Sequence, residues 1–166
     1  MKIDKSVPGG FAGTLVLTTV LRAASEGRLT RMDLPFLLGT VVTADRRRAK
    51  LLGYLAHFGF GVGFAVIYRG LFTALGRSGW RLGALFGLAH GTFSATALVN
   101  VLLPAVHPRM GSPLTAADTS PLIEAPGFLM RNYGESTAAA TLIAHVCYGA
   151  IVGSFLKTNE ERAGNR

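Results

Sequence analysis

Long uncharged stretches dominate the pattern of hydrophobic and polar positions along the chain. Three of them, 51–68, 82–106 and 136–156, run for 18, 25 and 21 residues without a formally charged side chain. A helix needs about 20 consecutive apolar residues to cross the hydrocarbon core of a bilayer. Each of these stretches is therefore predicted to form a membrane-spanning helix.

A shorter stretch, 6–21, lies between Lys5 and Arg22 and adds a fourth candidate span of 16 residues. This length suffices if the two long basic side chains extend to opposite interfaces. The flanking lysines and the small residues 23–25 also fit a cleaved secretory signal peptide, but we expect an uncleaved helix. The predicted fold class is all-α, an integral membrane bundle of four helices with spans at about 6–24, 50–75, 81–106 and 135–157.

The connections between the spans differ in character. The first contains an apolar segment, about 33–43, that is too short to cross a membrane. Asp33 suits the N-terminal cap of a helix and Pro35 its first turn. We therefore predict a short interfacial helix between the first and second spans. The long connection, 107–134, is rich in proline and is predicted to be a loop; Asn132 and Glu135 have the spacing of a capping box at the start of the last span.

Small residues recur on one face of each of the last three spans. At about 100° per residue, Gly83 and Gly87 lie roughly 20° and 60° around the helix from His90. Helices in lipid associate through the close backbone contacts that small residues permit. We predict helix packing through seven glycines: Gly53, Gly61, Gly83, Gly87, Gly91, Gly149 and Gly153. Gly59 and Gly63 line the opposite side of the second span, so we expect that span to pack against helices on both sides.

Each of these three spans carries one histidine on or beside its small-residue face: His57, His90 and His145. Ionisable side chains are costly to bury in a bilayer, and they generally face the bundle interior and mark functional sites. Three interpretations stay open. The histidines fix helix register through hydrogen bonds, they ligate a haem, a pigment magnesium or a transition metal, or they line a proton or ion pathway. The fourth histidine, His107, lies at the predicted membrane edge beside Met110 and is expected to be a surface residue, with a copper contact as the alternative.

Charged residues are few, 16% of the chain, and the basic ones give a net charge of +8. They lie near the ends of the predicted spans rather than along a nucleic-acid-binding face, so we expect no nucleic-acid partner. The densest group is expected to contact lipid headgroups: Arg46, Arg47, Arg48 and Lys50. The single cysteine, Cys147, excludes an intrachain disulfide.

The chain contains no phosphate-binding glycine loop, nucleophile elbow or metalloprotease motif, so we do not expect an enzyme. Its small extramembrane parts favour a structural or accessory subunit of a larger bacterial membrane complex, docked to other subunits through its transmembrane helices. An energy-converting or pigment-bearing complex is one candidate host. The alternatives are a histidine-ligated haem, pigment or metal protein, and a small transporter or channel with a polar path through Tyr54, His57, Asn100 and His145. The sequence itself requires no cofactor.

The last span carries the pattern His-x-x-Tyr-Gly-x-x-x-Gly, at His145, Tyr148, Gly149 and Gly153. Together with the segment DLPFLLG and a histidine early in the second span, this pattern resembles a group of small uncharacterised bacterial four-helix integral membrane proteins. The resemblance implies the same fold and a place in the bacterial inner membrane, where we expect both termini on the cytoplasmic side. It implies no activity and no catalytic residue.

Overall fold

The structure is a computed structural model that describes residues 4–111 and 123–156. Helix α1 spans Ser6–Glu26, α2 spans Leu34–Thr40 and α3 spans Arg46–Leu75. The short helix α2 therefore lies in the connection where the sequence predicts a helix.

The second half of the chain begins with α4, which spans Trp80–Val106. Its central segment, Ser94–Leu102, is π-helical and lies between two α-helical parts. A 3-10 helix, Phe128–Tyr133, follows the long connection, and the last helix, α5, spans Thr137–Phe155.

Four helices, α1, α3, α4 and α5, are long and apolar enough to cross a membrane. No β-strand occurs within the described ranges. The prediction of an all-helical, multi-pass membrane protein is confirmed at this level. The result has a simple physical basis, since a helix satisfies its own backbone hydrogen bonds where no water is present.

Local sequence explains where several helices begin and end. The Asp33 carboxylate accepts a hydrogen bond from the Phe36 N–H at 3.1 Å and caps α2, as predicted. Asp45 caps α3 in the same way, accepting from the Arg48 N–H at 2.8 Å. Gly76, with φ at 62°, ends α3 in the left-handed conformation that glycine adopts without strain.

The predicted capping box at the start of the last span is wrong. Helix α5 is preceded directly by Ser136, whose side chain makes no capping hydrogen bond. Asn132 instead lies in the 3-10 helix, and its side-chain amide donates to the Ala125 carbonyl at 2.8 Å. Glu135 pairs with Arg131 at 3.5 Å. The polar side chains that matched the capping pattern therefore stabilise the loop that leads into the helix.

Helix α4 packs on α5, α5 on α1, α1 on α3, and α3 on α2. Helices α3 and α4 meet through large aromatic side chains rather than through close backbones. Phe72 stacks on Phe86 with ring centroids 5.2 Å apart, and Tyr68 meets the same ring edge-on at 5.7 Å. These rings fill the space between the two helices and keep their backbones apart.

The backbones of α4 and α5 touch along glycines. A Cβ atom on Gly83 would lie 2.1 Å from the carbonyl oxygen of Gly149, and one on Gly87 would lie 2.2 Å from that of His145. Only glycine fits at these positions unless the helices move apart. The other predicted glycines of the two helices lie at the same interface: Gly91 and Gly153.

The predicted glycines of α3 contact two different helices. A Cβ atom on Gly53 would lie 1.6 Å from the Pro35 carbonyl oxygen of α2. One on Gly61 would lie 1.7 Å from the Thr14 hydroxyl oxygen of α1. Gly53 therefore allows α2 to pack closely on α3, and Gly61 allows the same for α1.

The opposite side of α3 has no partner within the described chain. A Cβ atom added at Gly59, Gly63 or Gly70 would meet nothing within 4 Å. The expectation that the second span packs on both sides is thus wrong for contacts among residues 4–111 and 123–156. Sequence pattern shows which faces allow close approach, but the number of available partner helices decides which faces are covered.

Candidate functional site

The three predicted site histidines line one cavity of about 500 Å³. His57 comes from α3, His90 from the α-helical first part of α4, and His145 from the middle of α5. Helix α1 completes the wall, and Leu34 and Leu38 of α2 lie at one end. The tertiary structure therefore brings together the three residues that the sequence placed on separate helices.

His145 is fixed at both ring nitrogens. Its Nδ1–H donates to the Thr141 carbonyl oxygen at 2.8 Å, which leaves Nε2 as an acceptor. The Ser94 hydroxyl lies 3.3 Å from Nε2 and donates to it. Ser94 belongs to α4, where it is the first residue of the π-helical segment. The hydrogen bond therefore joins α5 to α4, two of the membrane-spanning helices.

His90 lies against the faces and edges of other rings. It stacks on Phe64 of α3 with centroids 3.9 Å apart, and it meets His145 edge-on at 4.7 Å. Its Nδ1 lies 3.4 Å from the Tyr68 hydroxyl, a long hydrogen bond. This histidine therefore bridges the two helices that the aromatic side chains hold apart.

His57 joins α3 to α1. Its Nε2 lies 3.1 Å from the Thr18 hydroxyl oxygen. The Thr18 hydroxyl donates a hydrogen bond to the Thr14 carbonyl at 2.7 Å, so its oxygen accepts the hydrogen bond from the His57 Nε2–H. All three histidines thus make hydrogen bonds between helices.

The geometry does not fit two of the expected metal arrangements. Among the described residues, no group of three or more His, Cys, Asp or Glu side chains could hold a metal ion. Two imidazoles on opposite faces of one metal hold their ring centroids about 6 Å apart, since each metal–nitrogen bond is about 2 Å long. The centroids of His90 and His145 are 4.7 Å apart, which leaves no room for a haem between them.

The cavity is polar near the membrane midplane and apolar toward one end. His90 lies about 15 Å from the Trp80 end of α4, and His145 about 15 Å from the Phe155 end of α5, at 1.5 Å per residue. A bilayer core is about 30 Å thick, so both lie near its middle. The far end is lined by apolar side chains: Leu21, Met32, Leu38, Leu102, Val106 and Met130. Among the described residues that line the cavity there is no Asp, Glu, Lys or Arg.

The π-helical segment forms part of this wall. Ser94, Leu98, Val99 and Leu102 all lie in it and line the cavity. The Asn100 side-chain amide donates to the Ala95 carbonyl, and its buried Oδ1 has no partner in the described part of the chain. π-Helical turns are rare and frequently occur at functional sites. Neither Asn100 nor Tyr54 lines the cavity, although both belonged to the suggested polar path.

The expectation that His107 lies at the surface is wrong, because the side chain is only 3% exposed. Its Nδ1 accepts from the Arg109 N–H at 3.1 Å, and its Nε2–H lies 3.2 Å from the Leu37 carbonyl oxygen. The Arg109 guanidinium donates to the Thr40 carbonyl at 2.8 Å. Burial lowers the pKa of His107 below its usual value of 6.5. The chain after α4 therefore folds back onto α2, a contact that no local sequence signal predicted.

The basic group at the start of α3 has two distinct environments. Lys50 pairs with Asp33 at 3.0 Å, and the Arg46 guanidinium lies over the Phe36 ring, 5.6 Å from its centroid. Both contacts hold α2 against α3. The side chains of Arg47 and Arg48 are exposed, which keeps them accessible to lipid headgroups.

The chain's own geometry is the basis for assigning a function. No protein-family model, no curated protein and no solved structure matches this chain.

Proposed function

We propose that this protein binds a mostly apolar molecule within the bilayer, in the cavity lined by His57, His90 and His145. The proposal rests on the cavity itself. It has a volume of about 500 Å³, lies between membrane-spanning helices, and has apolar walls with a few convergent polar groups. Ligand sites in proteins have volumes of about 300–1,000 Å³ and the same balance of apolar and polar lining.

The alternative of a purely structural void is less favourable. Each atom lining an empty space lacks dispersion contacts on one side, and large-to-small changes in protein cores cost free energy in proportion to the cavity volume left behind. A molecule in the cavity would restore those contacts. Where α3 and α4 line the cavity, the rings of Phe64 and His90 stack with centroids 3.9 Å apart, so large side chains rather than close backbones separate the two helices there.

Binding of a shaped hydrocarbon tests the proposal directly. The purified protein in mild detergent is equilibrated with 2-methyltetradec-1-ene, and the bound amount is measured by gas chromatography after gel filtration. We expect saturation near one molecule per chain. Leu98→Trp places a larger side chain in the cavity and should abolish binding. The control Leu85→Trp lies on the same helix but is exposed, 59%, and should bind normally. Equal binding by both variants, or none by the native protein, would refute the proposal.

A second candidate function, the accessory subunit of a bacterial inner-membrane complex, is favoured by the uncovered side of α3. Gly59, Gly63 and Gly70 present small residues where nothing in the described chain approaches within 4 Å. Such faces allow helices to approach closely in lipid. In this arrangement α2 lies at the membrane interface, Arg47 and Arg48 contact headgroups, and both termini are cytoplasmic.

Purification of the tagged protein in mild detergent tests this candidate. Membrane proteins that co-purify in stoichiometric amounts should be lost on Gly63→Leu, which adds bulk to the uncovered face. Substitution of another exposed α3 residue, Leu55→Ala, is the matched control. A homogeneous preparation without partners would exclude the subunit role and leave the cavity as the functional feature.

A further inference from the structure

One hydrogen-bond donor of the cavity lining has no acceptor in the described chain. His90 hydrogen-bonds Tyr68 through its Nδ1, and the N–H of its ring makes no other hydrogen bond there. Every other polar side chain of the lining donates to a protein acceptor: Thr14, His57, Ser94, Thr141, His145 and Tyr148. The cavity therefore contains one unused donor near the membrane midplane.

The hydrogen-bond network assigns that proton to Nε2. Tyr68 is 3% exposed, and among residues 4–111 and 123–156 its hydroxyl makes a hydrogen bond only with His90 Nδ1. Since no other acceptor in that part of the chain meets the Tyr68 O–H, it donates to Nδ1 and the imidazole carries its proton on Nε2. A donor left unsatisfied in a water-poor site costs free energy, and a bound acceptor removes that cost.

The charge of the lining defines the ligand further. Apart from the three histidines, the described residues of the wall include no ionisable acid or base: no aspartate, glutamate, lysine or arginine lines the cavity. A charged headgroup near the midplane would lose its hydration without gaining a counter-ion, which is strongly unfavourable. The group that meets His90 is therefore neutral. A carbonyl oxygen satisfies the Nε2–H without bringing a donor of its own.

From these observations we infer that the ligand is an uncharged lipid whose carbonyl oxygen accepts a hydrogen bond from His90 Nε2–H, with its apolar chain extending toward Val106 and Met130. This inference rests on the proposed function and adds the ligand's chemical class and orientation. An ordinary phospholipid is the wrong partner, because its charged headgroup belongs at the interface, where this cavity is apolar.

A matched pair of probes isolates the contribution of the carbonyl oxygen to binding. Tetradecan-2-one and 2-methyltetradec-1-ene have the same shape, but the second carries a methylene group in place of the oxygen. In competition on the purified full-length protein, the ketone should bind roughly threefold to tenfold tighter, the range for one hydrogen bond. Binding of the hydrocarbon alone, without a preference for the ketone, would overturn this inference and leave the proposed function intact. Failure of both probes to bind would refute the proposed function itself.

His90→Phe tests which donor is responsible. Phenylalanine keeps an aromatic ring against Phe64 but has no N–H, and Tyr68→Phe in the same protein removes the hydroxyl that would otherwise lose its acceptor. The double variant should therefore bind the two probes equally, whereas Tyr68→Phe alone and Leu85→Phe, an exposed residue of the same helix, should keep the preference for the ketone. A preference that persists in the double variant would overturn the assignment of the donor.

Spectroscopy on the native protein provides a test that needs no variant. Tetradecan-2-one labelled with carbon-13 at the carbonyl should show a downfield shift of that carbon when bound, because hydrogen bonding polarises the C=O group. The same labelled ketone in dry hexane, where its oxygen meets no hydrogen-bond donor, gives the reference. An unchanged carbonyl shift in the saturated complex would overturn the inference, whatever the stability of the variants.

Discussion

Replacement of Gly87 by alanine perturbs the interface that positions His145. A Cβ atom at this site would lie 2.2 Å from the His145 carbonyl oxygen, 2.9 Å from its carbonyl carbon and 3.0 Å from the Val146 Cα. All three are backbone atoms of a regular helix, so none can turn aside. Optimal contacts between heavy atoms are about 3.5–4.0 Å, and α4 and α5 must therefore separate by roughly 1 Å.

The expected cost follows from two opposing effects. Inserting a methyl group into a closely packed interface costs about 1–3 kcal/mol. Alanine's higher helix propensity offsets about 0.5–1 kcal/mol of this loss. The separation also lengthens the hydrogen bond between Ser94 and His145, which is already 3.3 Å. We expect the free energy of unfolding to fall by about 1–2 kcal/mol.

The control is the same substitution on an uncovered face. A Cβ atom at Gly59 meets nothing within 4 Å, so Gly59→Ala should leave stability unchanged or raise it by up to about 1 kcal/mol. Reversible unfolding of both variants in mixed detergent and SDS micelles, followed by far-UV circular dichroism, gives the comparison. A Gly87→Ala protein as stable as the Gly59→Ala protein would refute the close-contact argument.

Three further predictions concern the ends of the helices. Asp33→Ala removes the cap of α2 at the Phe36 N–H and should lower the free energy of unfolding by about 1 kcal/mol in the same assay; unchanged stability would contradict the capping role. The folded protein lowers the pKa of His107, so the unfolded chain binds the extra proton and stability falls as the pH drops below about 6.5. His107→Gln should make stability less dependent on pH between 6.5 and 5, roughly the range in which histidine titrates, and an identical pH dependence would count against the buried neutral imidazole. Burial, with the nearby Glu124 carboxylate, raises the pKa of Tyr133 to about 12. The difference between the ultraviolet absorbance titrations of the native protein and of Tyr133→Phe should show one tyrosine that ionises at this high pH. A midpoint near 10 would contradict the burial of the hydroxyl.

The sequence by itself determined the four spans and the caps of α2 and α3. An uncharged stretch such as 82–106 can form only a helix in a bilayer, because no water is present to satisfy its backbone. Asp33 and Asp45 cap the helices that follow them through bonds to residues three positions away. These outcomes depend on interactions within one segment, so the local sequence suffices to predict them.

Tertiary structure decided what each helix face meets. The sequence placed His57, His90 and His145 on small-residue faces, but it did not place His57 against Thr18 or His90 against Tyr68, which come from other helices. The π-helical segment of α4 likewise had no sequence signature. Its cavity wall forms only when four spans pack together.

The same distinction explains the two clearest differences from expectation. His107 is buried because the chain after α4 returns to Leu37 and Thr40, about seventy positions earlier in the sequence. The Gly59 side of α3 is bare because the described helices pack on its other faces. The hydrophobic pattern determines which segments enter the membrane, because the free energy of transfer from water to lipid depends on the composition of each segment by itself. Partner choice within the membrane depends on shape and hydrogen bonds between segments distant in sequence, and only the folded chain provides these.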